Sequence, residues 1–267
     1  MRKRTLFLLS ILVVLAMACS LISNTGGTPQ EPGSTPQGGG NQPGLVPQKI
    51  RTPPSNPVSI NEGLASLNSY QMTVLIKSIG PDPAESSTTT VNAQHSTDPE
   101  ATLTRLNMSV VKKGETEPSN TDSDIYQIGN DQCTVSTDSS EWSSSTPAET
   151  EMSDLIKSML GFTPLIDNPT FVAQETVNNI PSNHFTFKVS GLGVKSGAEV
   201  KANQGDYWLA VDGQYIVKYT LILETSMSTD SEVFHEEVSI EVNQVNQPIS
   251  IAFPQSCLDA SKVTPTP

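Results

Sequence analysis

Aromatic side chains are few in this sequence: Phe, Tyr and Trp together make 5% of its 267 residues. A core of any size must therefore close largely over aliphatic side chains. Basic residues are few as well, 15 Lys and Arg against 28 Asp and Glu, for a net charge of −13. That balance argues against nucleic acid as a partner and against charge-driven adhesion to anionic lipid headgroups. Only His95, His184 and His235 supply imidazole, with no His-Cys or His-x-x-x-His spacing among them. They read as surface or satisfied strand residues, not as metal ligands or catalytic bases. There is no GxSxG, no P-loop and no dinucleotide fingerprint; Gly191-Leu192-Gly193 lacks the third glycine and the βαβ setting. Nucleophile, base and orienting group are missing as a set, so the chain reads as a non-enzyme that calls for no cofactor. Asp122, Asp124 and Asp131 read as loose acidic positions and not as a calcium site. The Ser-rich run 138–146 reads as a solvated loop.

Long hydrophobic runs are missing too, with one exception. After Arg2, Lys3 and Arg4 comes an uncharged apolar run over 6–15, followed by small residues. This is the layout of an export signal, and the run is shorter than the roughly 20 residues that a permanent membrane-spanning helix needs. Leu15-Ala16-Met17-Ala18-Cys19 resembles the bacterial lipobox, in which a small residue precedes the cysteine that is lipidated and becomes the new N-terminus. The resemblance implies cleavage before Cys19 and acyl chains on it, anchoring the protein to the outer face of the cell membrane or the periplasmic side of an envelope membrane. The other reading is an ordinary secretory signal with Cys19 incidental. With Arg2, Lys3 and Arg4 removed, twelve basic residues face 28 acidic ones, a net of −16. Segment 20–57 is dense in Gly, Pro, Ser, Thr and Gln, a disordered tether with a root-mean-square span of roughly 30–40 Å. Residues 261–267 read as a loose tail.

The interval 58–260 has the size of one domain. Its surest feature is the run 206–224, two apolar-patterned strands around Asp212-Gly213, which predicts a hairpin with a two-residue turn. In regular register Ala210 faces Tyr215 and Trp208 faces Val217, so that Trp208, Ala210, Tyr215, Val217, Tyr219, Leu221 and Leu223 share one apolar face. Ahead of it, Ile60, Leu64 and Leu67 suggest a short helix running into a strand with Tyr70, Met72, Val74 and Ile76 in phase. Further strands are expected over 88–95, 102–111, 124–128, 132–136, 171–175, 184–190 and 232–242, with Phe185 and Phe187 in phase on one of them. Met152, Leu155, Ile156 and Met159 recur at helical spacing, predicting a helix over 149–161. About ten strands and one or two helices make an α+β, mainly β domain: a strongly curved antiparallel sheet, an unclosed barrel, around the helices.

The stretches LASLNSYQMTVLI, DIYQIGNDQCTV, LIKSMLGF, NHFTFKVSG and DYWLAVDGQYIVKYTLIL, in that order, resemble the LolA/LolB-like and LppX/LprG-like bacterial envelope lipoproteins. The resemblance implies an unclosed barrel with a helical lid over an apolar cavity, and a lipid or acyl chain as ligand. Tyr70, Met72, Val74, Phe185, Phe187, Trp208, Tyr215 and Val217 are the expected wall, and Met152, Leu155, Ile156 and Met159 the expected lid. Other proteins of this architecture are sensors or assembly factors, so the alternative is a monomeric interaction module with a closed core and an envelope protein as partner. With Cys19 acylated, Cys133 and Cys257 form an even pair in an exported chain, which predicts a disulfide; two buried free thiols are the alternative.

Overall fold

The computed structural model describes residues 60–137, 139–144, 166–189, 198–227 and 232–263. A short helix α1, Ile60–Leu64, leads into β1, Ser69–Ile79. The chain then folds back and forth through β2 (Ser86–Thr97), β3 (Glu100–Val111), β4 (Ser119–Ile128), β5 (Asp131–Ser136) and β6 (Ser139–Ser144). A second series follows: β7 (Asp167–Val177), β8 (Ile180–Lys188), β9 (Ala198–Ala210), β10 (Ile216–Met227) and β11 (Val233–Asn243). A helix α2, Gln255–Val263, comes last. The signal segment, the tether and the helix expected over 149–161 lie outside the described residues.

All eleven strands belong to one antiparallel, unclosed sheet in the order β6-β5-β4-β3-β2-β1-β11-β10-β9-β8-β7. Right-handed twist at every step makes so wide a sheet curve. Each strand pairs with its sequence neighbour except at one seam, where β1 meets β11, and at one jump, from the edge strand β6 to the opposite edge strand β7. The hairpins carry the turn residues that this geometry demands. Asn178 and Asn179, both at positive φ, make the two-residue link from β7 to β8, and Gly129 turns β4 into β5.

Alternation decides which side each residue occupies, and the register lines the sides up across strands. One continuous row runs Leu106, Val91, Val74, Ile240, Tyr219, Tyr207, Phe185, Phe171, from β3 to β7. The next row is Met108, Thr89, Ile76, Val238, Leu221, Gly205, Phe187. The reverse side of the same strands is polar, with cross-strand pairs such as Lys77–Glu237 at 3.5 Å, Lys218–Glu241 at 3.2 Å and Thr73–Asn92 at 2.9 Å.

At β3 the apolar side changes over. Leu103, Tyr126, Cys133 and Trp142 are aligned across β3 to β6 on the reverse side, where Ile251, Phe253 and Cys257 pack against them. Cys133 and Cys257 are joined by a disulfide, as expected for the even pair, and it holds α2 there. Two expectations need correction. The Ser-rich run expected as a loop supplies β6, because Ser140 and Trp142 face β5 in regular register. The helix α2, which the sequence reading did not include, runs past residue 260.

Candidate functional site

The strongest candidate is the apolar side of β1, β2 and β8 to β11. Met72, Val74, Val91, Ala93, Phe185, Phe187, Leu221, Ile240 and Val242 are all buried there, and Tyr207 and Tyr219 are 0% exposed. The C-terminal helix α2 sits on β5 and β6. Its aromatic part is a connected set of rings. Phe171 meets Phe185 edge-on at 5.6 Å, Phe185 stacks on Tyr207 at 5.0 Å, and Phe187 contacts Tyr207 at 5.8 Å and Tyr219 at 5.3 Å.

Phe187 on β8 reaches Tyr219 on β10 because Gly205 on the intervening strand has no side chain. A Cβ at Gly205 would lie 2.1 Å from the Phe187 ring. The ring covers the bare glycine backbone and packs on Tyr219 beyond it.

Burial pushes the hydroxyls of Tyr207 and Tyr219 well above the ordinary tyrosine range. The Tyr219 hydroxyl is fully buried and has no hydrogen-bond partner among the described residues, a condition worth about 1–3 kcal/mol against the folded state. Toward one end of the same side, Tyr70 packs on His95 at 5.2 Å, and burial lowers the imidazole against the opposing field of Glu100.

Of the expected wall residues, Tyr70, Met72, Val74, Phe185 and Phe187 come together on this side, and Val217 is fully buried at an irregularity of β10. Trp208 does not. Leu209 faces Ile216, but Trp208 then faces Lys218, leaving Val217 as an extra residue in β10. This bulge turns β9 over relative to the regular register, so Tyr207 and not Asp206 lies opposite Tyr219. Tyr215, bonded through its carbonyl to the amide of Ala210, lies with Trp208 on the reverse side. There Trp208 stacks on His184 at 4.3 Å, under Lys218 at 5.5 Å, and donates its indole N–H to Glu175. His184 itself sits between Glu175 (3.2 Å) and Asp206 (2.9 Å), a satisfied strand histidine. Met152, Leu155, Ile156 and Met159 lie outside the described residues.

Sequence reasoning passed over Tyr207, Gly205 and Glu236. For Tyr207 no residue between 208 and 217 announces the bulge. For Gly205 the only signal was a glycine inside a strand pattern, which marks a close approach without saying of what. Among the described residues there is no group of three His, Cys, Asp or Glu that could hold a metal, and no helix long and apolar enough to cross a membrane.

No protein-family model and no curated protein matches the chain. Among solved structures it is similar to LprF from Mycobacterium bovis, at 14% identity and a TM-score of 0.38 over 75% of this chain and 99% of that one. It is also similar to a LolA superfamily protein from Nitrosomonas europaea, at 9% identity and a TM-score of 0.25 over 73% of this chain and 96% of that one. A DUF1329 family protein from Desulfovibrio piger is 8% identical with a TM-score of 0.24, over 74% of this chain and 96% of that one.

Proposed function

We propose that the chain is an exported lipoprotein, anchored to a membrane through acyl chains on Cys19, whose apolar sheet side binds a lipid or acyl chain without covalent chemistry. The observation that carries this reading is the one-sidedness of the sheet: the row from Leu106 to Phe171 crosses eight strands without a charged side chain, while the reverse side carries the ion pairs. Each methylene transferred from water to such a surface contributes about 0.8 kcal/mol, so a short stretch of chain outweighs the cost of ordering it. Tyr70, Met72, Val74, Phe185 and Phe187 form the wall, joined by Tyr207 and Tyr219. The unpartnered Tyr219 hydroxyl gives such a ligand one polar contact inside the apolar surface. The tether sets the reach of the domain from its anchor.

Native mass spectrometry of the full chain, purified from a bacterial host and followed by organic extraction, tests this. One acyl-bearing molecule per chain is expected, with loss of that mass in Phe187→Trp, where the larger ring occupies the apolar side. A clean protein mass together with no uptake of added fatty acid or phospholipid would overturn the reading in favour of a closed-core interaction module.

A further inference from the structure

A second polar group occupies the apolar side without a partner. Glu236 is four residues from Ile240 on β11 and therefore faces the same way. It pairs with Leu223 on β10 and with Ser78 on β1, and Ser78 pairs in turn with the buried Ser87 on β2. Glu236, Ser78 and Ser87 thus form a polar row across three adjacent strands, at the end of the apolar side nearest the β1–β2 turn. Among the described residues, no hydrogen bond or ion pair reaches any of these three side chains.

The other carboxylates of this region are placed differently. Glu237, the next residue, faces the reverse side and meets Lys77, and Glu241 meets Lys218. Glu236 has no cation beside it, and burial alone pushes its carboxyl up. A half-buried carboxyl without a donor lowers stability, and Gln or Leu at this position would fold at less cost. A polar group kept where it opposes folding points to a ligand that repays it.

The neighbouring row is Thr89, Ile76, Val238 and Leu221, and beyond it comes the row that contains Tyr219. Four residues of strand, about 13 Å, separate the level of Glu236 from that of Tyr219. An amphiphile lying along the strands between these levels would have its chain on apolar side chains and its head at Glu236.

We propose that Glu236, with Ser78 and Ser87, receives the head group of the bound amphiphile, and that this head carries an ammonium. The proposal rests on the acyl-chain reading above. An ammonium offers three donors and one positive charge, which match one carboxylate and two hydroxyl acceptors. A hydroxyl head makes one of these bonds and neutralises nothing. A carboxylate head meets a like charge. Tyr219, further along the chain, donates its free hydroxyl to an acceptor such as an ester carbonyl.

The test uses the delipidated full chain and three probes that share one saturated tail: dodecylamine, dodecanol and dodecanoate, titrated calorimetrically at neutral pH. Dodecylamine should bind tightest, by roughly tenfold over dodecanol, and dodecanoate weakest. In Glu236→Gln the advantage of the amine over dodecanol should vanish, with an unchanged near-UV circular dichroism spectrum reporting that the variant is folded. The whole chain is acidic, so a general attraction for cations would survive the substitution. Survival of the preference, or equal binding of all three probes to the unsubstituted chain, overturns the head-group site and leaves the acyl-chain reading intact. Binding of none of the three by the unsubstituted chain overturns the acyl-chain reading, and this proposal with it. If Glu236→Gln fails to bind dodecanol, the order of the three heads on the unsubstituted chain decides alone.

Discussion

At Gly205 the absence of a side chain organises the aromatic part of the apolar side. Because a Cβ there would meet the Phe187 ring at 2.1 Å, the ring lies over the backbone of β9 and joins Tyr207 to Tyr219. Gly205→Ala should force Phe187 out of this position and destabilise the domain by about 1–3 kcal/mol, read as a lower denaturation midpoint in urea with an altered near-UV circular dichroism spectrum. An unchanged midpoint would mean that the contact is dispensable. Residue-level legibility was uneven for a related reason. The alternation of Tyr219, Leu221 and Leu223 was plain in the sequence, whereas Trp208 was assigned to their side and belongs to the other. One extra residue, Val217, separates the two outcomes, and a bulge depends on how two strands meet, which no single strand records.

Among the elements, α2 shows how the two sides of the sheet divide their work. β4, β5 and β6 turn their apolar residues to the reverse side, and Tyr126, Cys133 and Trp142 bury there under Phe253 and the helix that carries Cys257. The disulfide spans a sequence separation of 124 residues, so replacing both cysteines by Ser should cost about 2–5 kcal/mol in guanidinium unfolding. Since this cluster is on the side away from Tyr219 and Phe187, uptake of an acyl chain under native conditions should be unchanged in the same variant. A stability equal to that of the parent, with both proteins kept oxidised, would remove the bridge from the account of what holds α2. The helix itself escaped the sequence reading because it is short and, among its described side chains, only Cys257 is fully buried. Most strands, by contrast, were visible, since period-two alternation over eight or more residues has few competitors.

At the scale of the whole molecule, two meanders meet at one seam. β1 to β6 run outward from it and β7 to β11 run back to it, and Met72 against Val242 and Val74 against Ile240 close the apolar side across the join. These pairs are far apart in sequence, so the seam carries a high loop-closure cost and is expected to form late in folding. The proposed anchor belongs to this scale as well. In a bacterial host the parent chain should partition with the membrane fraction, and Cys19→Ala should release it. Equal retention of the two would remove the lipid anchor and leave an ordinary export signal.

Sequence alone was enough to determine the excess of acidic residues, the mainly antiparallel architecture and the even cysteine pair that predicts a bridge between Cys133 and Cys257, because charge, hydrophobic period and cysteine parity are local or countable. Only the tertiary structure decided which side of each strand became apolar surface, that Tyr207 replaces Trp208 there, that β4 to β6 face the other way, and that Glu236 and Tyr219 find no partner among the described residues. Those outcomes depend on register between strands up to 172 positions apart, as Gln71 and Asn243 are, and register is a property of pairs of strands and not of any one of them.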